Sequence, residues 1–167
     1  MEEDNWGILP PMTEKRLSCE GVFIDGKFMV ISGLRTWLWT AYKGSAEVFD
    51  PKLCSWSMLE DMWSPQESLK ASAFSAFSGQ LYVFRGQNVM KYDAEKNVWS
   101  PVSTVPHCFS SFLCAAQWGD RIFVNGIARG DGRPISYLFQ PSTGQSIAVD
   151  GGEDFGGKVL SAATMDI

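Results

Sequence analysis

Gly79-Gln80-Leu81-Tyr82-Val83-Phe84-Arg85-Gly86 is followed six residues later by Tyr92-Asp93, and then by Trp99. The same order stands earlier in the chain as Gly26-Lys27-Phe28-Met29-Val30-Ile31-Ser32-Gly33, then Phe49-Asp50, then Trp56. A third copy runs Gly119-Asp120-Arg121-Ile122-Phe123-Val124-Asn125-Gly126, then Phe139-Gln140, with Ser146 where a Trp is due. Each copy is a glycine, one or two polar residues, an apolar β-rich run and a second glycine seven positions on. An apolar residue follows each Trp by six positions: Met62 after Trp56 and Val105 after Trp99. Trp6 with Met12 repeats that tail, so the chain opens on the end of an earlier copy.

The copies lie 53 and 40 residues apart, and most of the difference falls between the second glycine and the aromatic residue. Insertion at one fixed place marks a loop. Within a copy the signals read as four short strands. In the first, Glu20–Ile24 leads to the hairpin pair Asp25-Gly26, a two-residue turn signal. Lys27–Ile31 is the second strand, Ala46–Phe49 the third, and the fourth carries Trp56. Ser78-Gly79 and Gly119-Asp120 turn the other two copies. Four antiparallel strands in about 50 residues make one blade of a propeller. The reading is an all-β partial propeller with blades at about 17–62, 70–105 and 112–150 and a trailing strand at 158–165. Trp6, Trp56 and Trp99 share one repeat position, where a large ring seals one blade against the next.

These residues resemble the kelch motif, an apolar strand ending in glycine with an aromatic residue and a Trp beyond it. Only the second glycine of the usual pair is kept, after Ser32, Arg85 and Asn125. Glu20–Gly26, Val30–Gly33 and Gly44-Ser45-Ala46-Glu47-Val48-Phe49-Asp50-Pro51 are similar to the plant F-box/kelch-repeat proteins. That resemblance implies a substrate receptor of a cullin ubiquitin ligase, which an F-box docks on a Skp1-like adaptor. The propeller would then capture a protein to be degraded, a metabolic enzyme being one such target. No F-box precedes the repeats in this sequence, so the expectation is the C-terminal part of a longer protein or a shortened product. The alternative is a kelch scaffold or adaptor with no ligase link.

Composition narrows the chemistry. The 167 residues carry a net charge of −5 and a single histidine, His107. No Lys/Arg cluster is present to neutralise phosphates, which argues against nucleic acid. No apolar run is long enough to cross a bilayer as a helix. The acidic start reads as no secretory leader. Cys19, Cys54, Cys108 and Cys114 form no close pair, the pattern of reduced thiols in a cytoplasmic or nuclear protein. His107, Cys108 and Cys114 fall short of the four ligands of a structural zinc site, and a copper centre needs more histidines. No nucleophile elbow, phosphate loop or dinucleotide fingerprint occurs. The expectation is a non-catalytic protein-binding module with no cofactor and no metal.

Topology points to the binding face. In an up-and-down blade the first-to-second and third-to-fourth turns share one end. The second-to-third loops and the links between blades share the other. The long, irregular segments all fall at that second end: Leu34–Gly44, Asp61–Leu69, Val105–Ser111 and Ile127–Pro134. Candidate partner contacts are Arg35, Trp37, Trp39 and Tyr42 in the first of these, then Trp63, and then Arg129, Asp131 and Arg133. Trp, Tyr and Arg are the types enriched at interface hot spots. The competing reading of Leu34–Lys43 is a longer hairpin that packs on its own blade. Arg129-Gly130-Asp131 also spells an integrin tripeptide, but its Gly-rich setting reads first as a solvated loop.

Overall fold

The computed structural model describes residues 7–149, apart from 36–37, 66–68 and 107–108. The expected strand at 158–165 and the Trp6 tail lie outside the described residues. Blade 1 contains β1 (Glu20–Ile24), β2 (Lys27–Ile31), β5 (Ala46–Asp50) and β6 (Ser55–Leu59), with a separate hairpin of β3 (Leu34–Arg35) and β4 (Leu38–Tyr42) between β2 and β5. Blade 2 is β7 (Ser72–Phe77), β8 (Gln80–Arg85), β9 (Asn88–Asp93) and β10 (Val98–Thr104). Blade 3 is β11 (Phe109–Trp118), β12 (Arg121–Ala128), β13 (Pro134–Gln140) and β14 (Gln145–Val149). Each blade is a four-stranded antiparallel sheet in chain order. The first strand β7 packs against both β1 and β11, so the first strands lie inward and the fourth strands outward. This is a partial kelch-type β-propeller.

Strand alternation builds the core. Side chains of period two point to opposite faces of a strand. In β8, Leu81 and Val83 enter one core with Val22, Met29 and Ile31 of blade 1. Tyr82 and Phe84, one residue out of phase, enter a second core with Ile122, Val124 and Phe139 of blade 3. Blade 2 is thus apolar on both faces, in keeping with its continuous apolar run Leu81–Phe84.

The third copy is out of step by one residue. Phe49 faces Phe28 across β2 and β5, whereas Phe139 faces Ile122 across β12 and β13. Phe28 stands two residues after Gly26, but Ile122 stands three after Gly119. The turn explains the slip. Asp25-Gly26 and Ser78-Gly79 have both residues at positive φ, with glycine second. In Gly119-Asp120 only the glycine, now first, has positive φ. These are the two favoured hairpin turns, I′ and II′, and exchanging them moves the glycine by one place. Gly126 therefore occupies the position of Arg85, not that of Gly86. Its φ is not positive, and a Cβ there would lie 2.4 Å from the Phe109 ring. The glycine is kept for close packing instead of for a turn.

Asp50 and Asp93, the acidic half of the second repeat block, cap the third-to-fourth turns. Asp50 Oδ1 accepts from the Lys52 N–H at 2.9 Å, and Asp93 Oδ1 from those of Glu95 and Lys96 at 3.1 Å each. These are side chain-to-backbone turns of the Asx type. Cys19, expected inside a first strand, lies just before β1; Cys114 lies in β11 and is buried.

Candidate partner-binding face

At the loop end each link between blades is tied to the second-to-third connection of the blade it leaves. The Trp63 N–H donates to Gly44 O and the Val105 N–H to Gln87 O, both at 2.8 Å. The long connections are therefore held on the scaffold by backbone bonds that need no particular side chain.

The hairpin β3–β4 rises from this end. Its base is anchored: Leu34 is buried, the Leu17 and Leu34 backbones exchange bonds of 3.2 and 2.7 Å, and Tyr42 packs half-buried against the core between blades 1 and 2. Arg35 belongs to β3 and Trp39 to β4, while Trp37 lies outside the described residues. The segment is thus a hairpin on its own blade, anchored at its base.

Trp63 is only 5% exposed. Its ring lies 5.2 Å from Phe74 and 6.1 Å from Trp99, and the Arg85 guanidinium sits 5.9 Å above it. It serves as part of the junction between blades 1 and 2. Arg129, Asp131 and Arg133 are all exposed on the loop between β12 and β13. The Ala128 N–H donates to Arg133 O at 2.8 Å and closes the loop base. Asp131 accepts from the Arg133 N–H at 3.1 Å and from Arg133 Nε at 2.7 Å. These two bonds hold the Asp131 carboxyl below its usual range. The loop presents a fixed Arg–Asp pair with a further arginine beside it.

One cluster escaped the sequence reading. Arg16, in the segment before β1, has a fully buried side chain, as does Glu47 in β5. Arg16 Nε donates to Glu47 Oε1 at 3.1 Å, Nη1 donates to the carbonyls of Ser32 and Ser45 at 2.8 Å each, and Nη2 donates to Ser45 Oγ at 2.9 Å. Glu47 also accepts from the Thr13 N–H at 2.6 Å and the Glu14 N–H at 3.2 Å. Lys43 completes the group through Glu14. Burial pushes the Glu47 carboxyl up, but the bonds from Thr13, Arg16 and Glu14 outweigh it and the net direction is down. The cluster ties residues 13–16 and the foot of the hairpin to blade 1. Its only trace in the sequence is a charged residue between the apolar Ala46 and Val48.

At the opposite end a cleft of about 610 Å³ opens between blades 1 and 2, lined by Asp25, Lys27, Met29, Leu81, Lys91 and Glu95, among others. Among the described residues no group of three His, Cys, Asp or Glu side chains is placed to hold a metal. The Cys114 thiol is pushed up by burial, which leaves it a packing group. His107 and Cys108 lie outside the described residues.

Comparison with known proteins now has a geometry to rest on. No family model matches the chain. The Arabidopsis thaliana F-box/kelch-repeat protein At1g26930 is 34% identical over 149 residues, covering 78% of this chain and 35% of that protein. F-box/kelch-repeat protein SKIP20 of the same plant is 38% identical over 93 residues, covering 52% of this chain and 21% of that one. The solved structure of YjhT superposes with a TM-score of 0.67 at 16% identity, over 92% of this chain and 57% of its own. The chain is a kelch-type protein-interaction module related to the F-box/kelch-repeat proteins. It spans about a third of the length of the first of those relatives.

Proposed function

We propose that this chain captures a partner protein on its loop end and acts in substrate recognition for a ubiquitin ligase, with the captured protein as the target for degradation. The relation to F-box/kelch-repeat proteins carries the reading. It is supported by a loop end whose connections differ in length from blade to blade while the strands beneath them keep one pattern, the usual division between binding loops and scaffold. The contact residues are Arg35, Trp37, Trp39 and Tyr42 of the hairpin segment, with Arg129, Asp131 and Arg133 of the third blade. Attachment to a Skp1-like adaptor requires an F-box, which this sequence does not contain. The second reading is a scaffold that binds the same partner without marking it for degradation.

Affinity capture with the proteasome blocked tests both. On the first reading, a bound protein accumulates when the proteasome is blocked, and the chain brings Skp1 with it once an F-box is supplied in the same polypeptide. Trp37→Ala with Trp39→Ala reduces partner capture by about 30-fold or more, the scale of losing about 2 kcal/mol at a hot spot. Capture of the same partner with no change in its level supports the scaffold reading. Capture unaltered by substitutions at both loops overturns the assignment to this end.

A further inference from the structure

The cleft between blades 1 and 2 is a junction left partly unfilled. Its apolar lining is Ile24, Met29 and Val48 of one blade and Leu81 of the next, all part of the first core or packed against it. The hairpin turns set the two junctions in register. Ile24 and Phe77 stand two residues before the turn glycines Gly26 and Gly79, and Met29 and Tyr82 stand three residues after them. Phe77 and Tyr82 pack into the second junction, where the Tyr82 ring lies 6.4 Å from Phe139. Two aromatic rings therefore hold at the second junction the places that an isoleucine and a methionine hold at the first. The difference leaves about 610 Å³ open at the turn end. That volume falls within the range of small-molecule sites, roughly 300–1,000 Å³.

Charge at the mouth narrows the ligand. Asp25, Asp93 and Glu95 stand against Lys27 and Lys91 in the lining. Two of these charges are already matched: Lys27 Nζ lies 3.0 Å from Asp50 Oδ2, and Lys96 Nζ lies 3.1 Å from Asp93 Oδ2. Lys91 stands opposite Tyr82, on the strand face turned to blade 3. The Asp25 and Glu95 carboxylates have no ion-pair partner among the described residues. Asp25 reaches across from blade 1 because Gly79 has no side chain: a Cβ there would lie 2.8 Å from Asp25 Oδ1. The cleft is thus apolar within and carries one unpaired carboxylate from each blade at its mouth.

We propose that this cleft binds a small aromatic amine. The ring takes the space that Phe77 and Tyr82 fill at the second junction, and the ammonium group sits at the Asp25 and Glu95 carboxylates. The site lies at the opposite end of the blades from the loop contacts, so it stands whether or not those loops hold a partner.

Three probes test it, with backbone amide chemical shifts of the chain as the readout. Phenethylammonium is expected to shift Gly79, Leu81 and Ala94 with a millimolar dissociation constant. Ethylammonium, the same charge without the ring, is expected to bind at least about tenfold more weakly. Hydrocinnamate, the same ring with the opposite charge, is expected to bind about fivefold more weakly. Asp25→Asn is expected to weaken phenethylammonium by about two- to threefold and to leave hydrocinnamate no weaker. Ile24→Phe with Met29→Tyr copies the second junction and is expected to abolish the Leu81 shift. If that filled variant does not fold, the probe series and Asp25→Asn still decide. No shift at these amides at millimolar phenethylammonium overturns the proposal. So does equal binding of ethylammonium or hydrocinnamate, or undiminished binding by the folded filled variant.

Discussion

The two junctions of this arc are made from the same repeat position and close in different ways. At the first, Trp99 lies 5.1 Å from Tyr92 and 6.0 Å from Phe74, and its Nε1 donates to Met62 O at 2.8 Å. The tail of blade 1 is thereby drawn over the outer strand of blade 2. At the second, Ser146 stands opposite Phe139 as Trp99 stands opposite Tyr92. Its hydroxyl is buried without a hydrogen-bond partner among the described residues. The ring volume has moved inward: Phe84 lies 5.4 Å from Phe139, and Phe109 is stacked on Phe112 at 4.2 Å and lies 5.8 Å from Tyr137. The tail contact is reduced to the Ser103 hydroxyl donating to Gly144 O at 2.5 Å. A repeat therefore conserves the need to fill a junction, while the residue that fills it can move from the outer strand to the inner ones.

The largest effects should follow the filling. Trp99→Ala at the first junction and Phe139→Ala at the second should each cost about 3–5 kcal/mol in urea unfolding. A loss under about 1 kcal/mol at either would show that the junction is sealed elsewhere. Trp56→Ala removes the same repeat residue where, among the described residues, no further blade packs on it, and about 2 kcal/mol is expected. A cost equal to that of Trp99→Ala would break the comparison.

The clamp on residues 13–16 comes next. Arg16→Met leaves the Glu47 carboxylate with the Thr13 and Glu14 N–H groups and the Thr13 side chain as donors but no cation, and a loss of about 2–3 kcal/mol follows from a buried charge stripped of its partner. The same pair sets an acid dependence. The folded Glu47 pKa lies below its ordinary value, so the carboxylate contributes stability above the unfolded pKa, near 4.3, and that contribution is lost as pH falls through the folded value. Glu47→Gln should flatten the stability profile below about pH 4.5, and an unaltered profile would remove Glu47 from the account.

The smallest effect belongs to Ser146→Ala. Removing an unpartnered buried hydroxyl should leave stability unchanged or raise it by about 1 kcal/mol. A clear loss would show that the hydroxyl is bonded after all.

The fold was legible because its signals are local. Glycine-bearing turns, apolar runs of strand length and the aromatic-to-Trp spacing each report on one hairpin, and together they give the order of strands in every blade. The slip in the third copy was not legible, because Gly119 fits the glycine frame at either end of a two-residue turn and only cross-strand pairing tells them apart. Trp63 shows the corresponding limit for the site. Its type and its place in a link between blades suggested a contact residue, but burial depends on Phe74 and Trp99, which come from another blade. Arg16 and Glu47 lie 31 residues apart and meet only in the folded chain. Arg129, Asp131 and Arg133 were easier to read, since a Gly-rich turn between two strands is exposed by its own composition.

The central claim is that blade 2 is the structural middle of the arc, packed through alternate side chains on both of its faces. Hydrogen–deuterium exchange read by mass spectrometry tests it directly. Amides of Leu81–Phe84 should exchange most slowly, opening only with global unfolding, while those of Gln145–Val149 on the outer strand of blade 3 exchange faster by at least tenfold. Equal rates in the two segments, or faster exchange at Leu81–Phe84, would contradict the account.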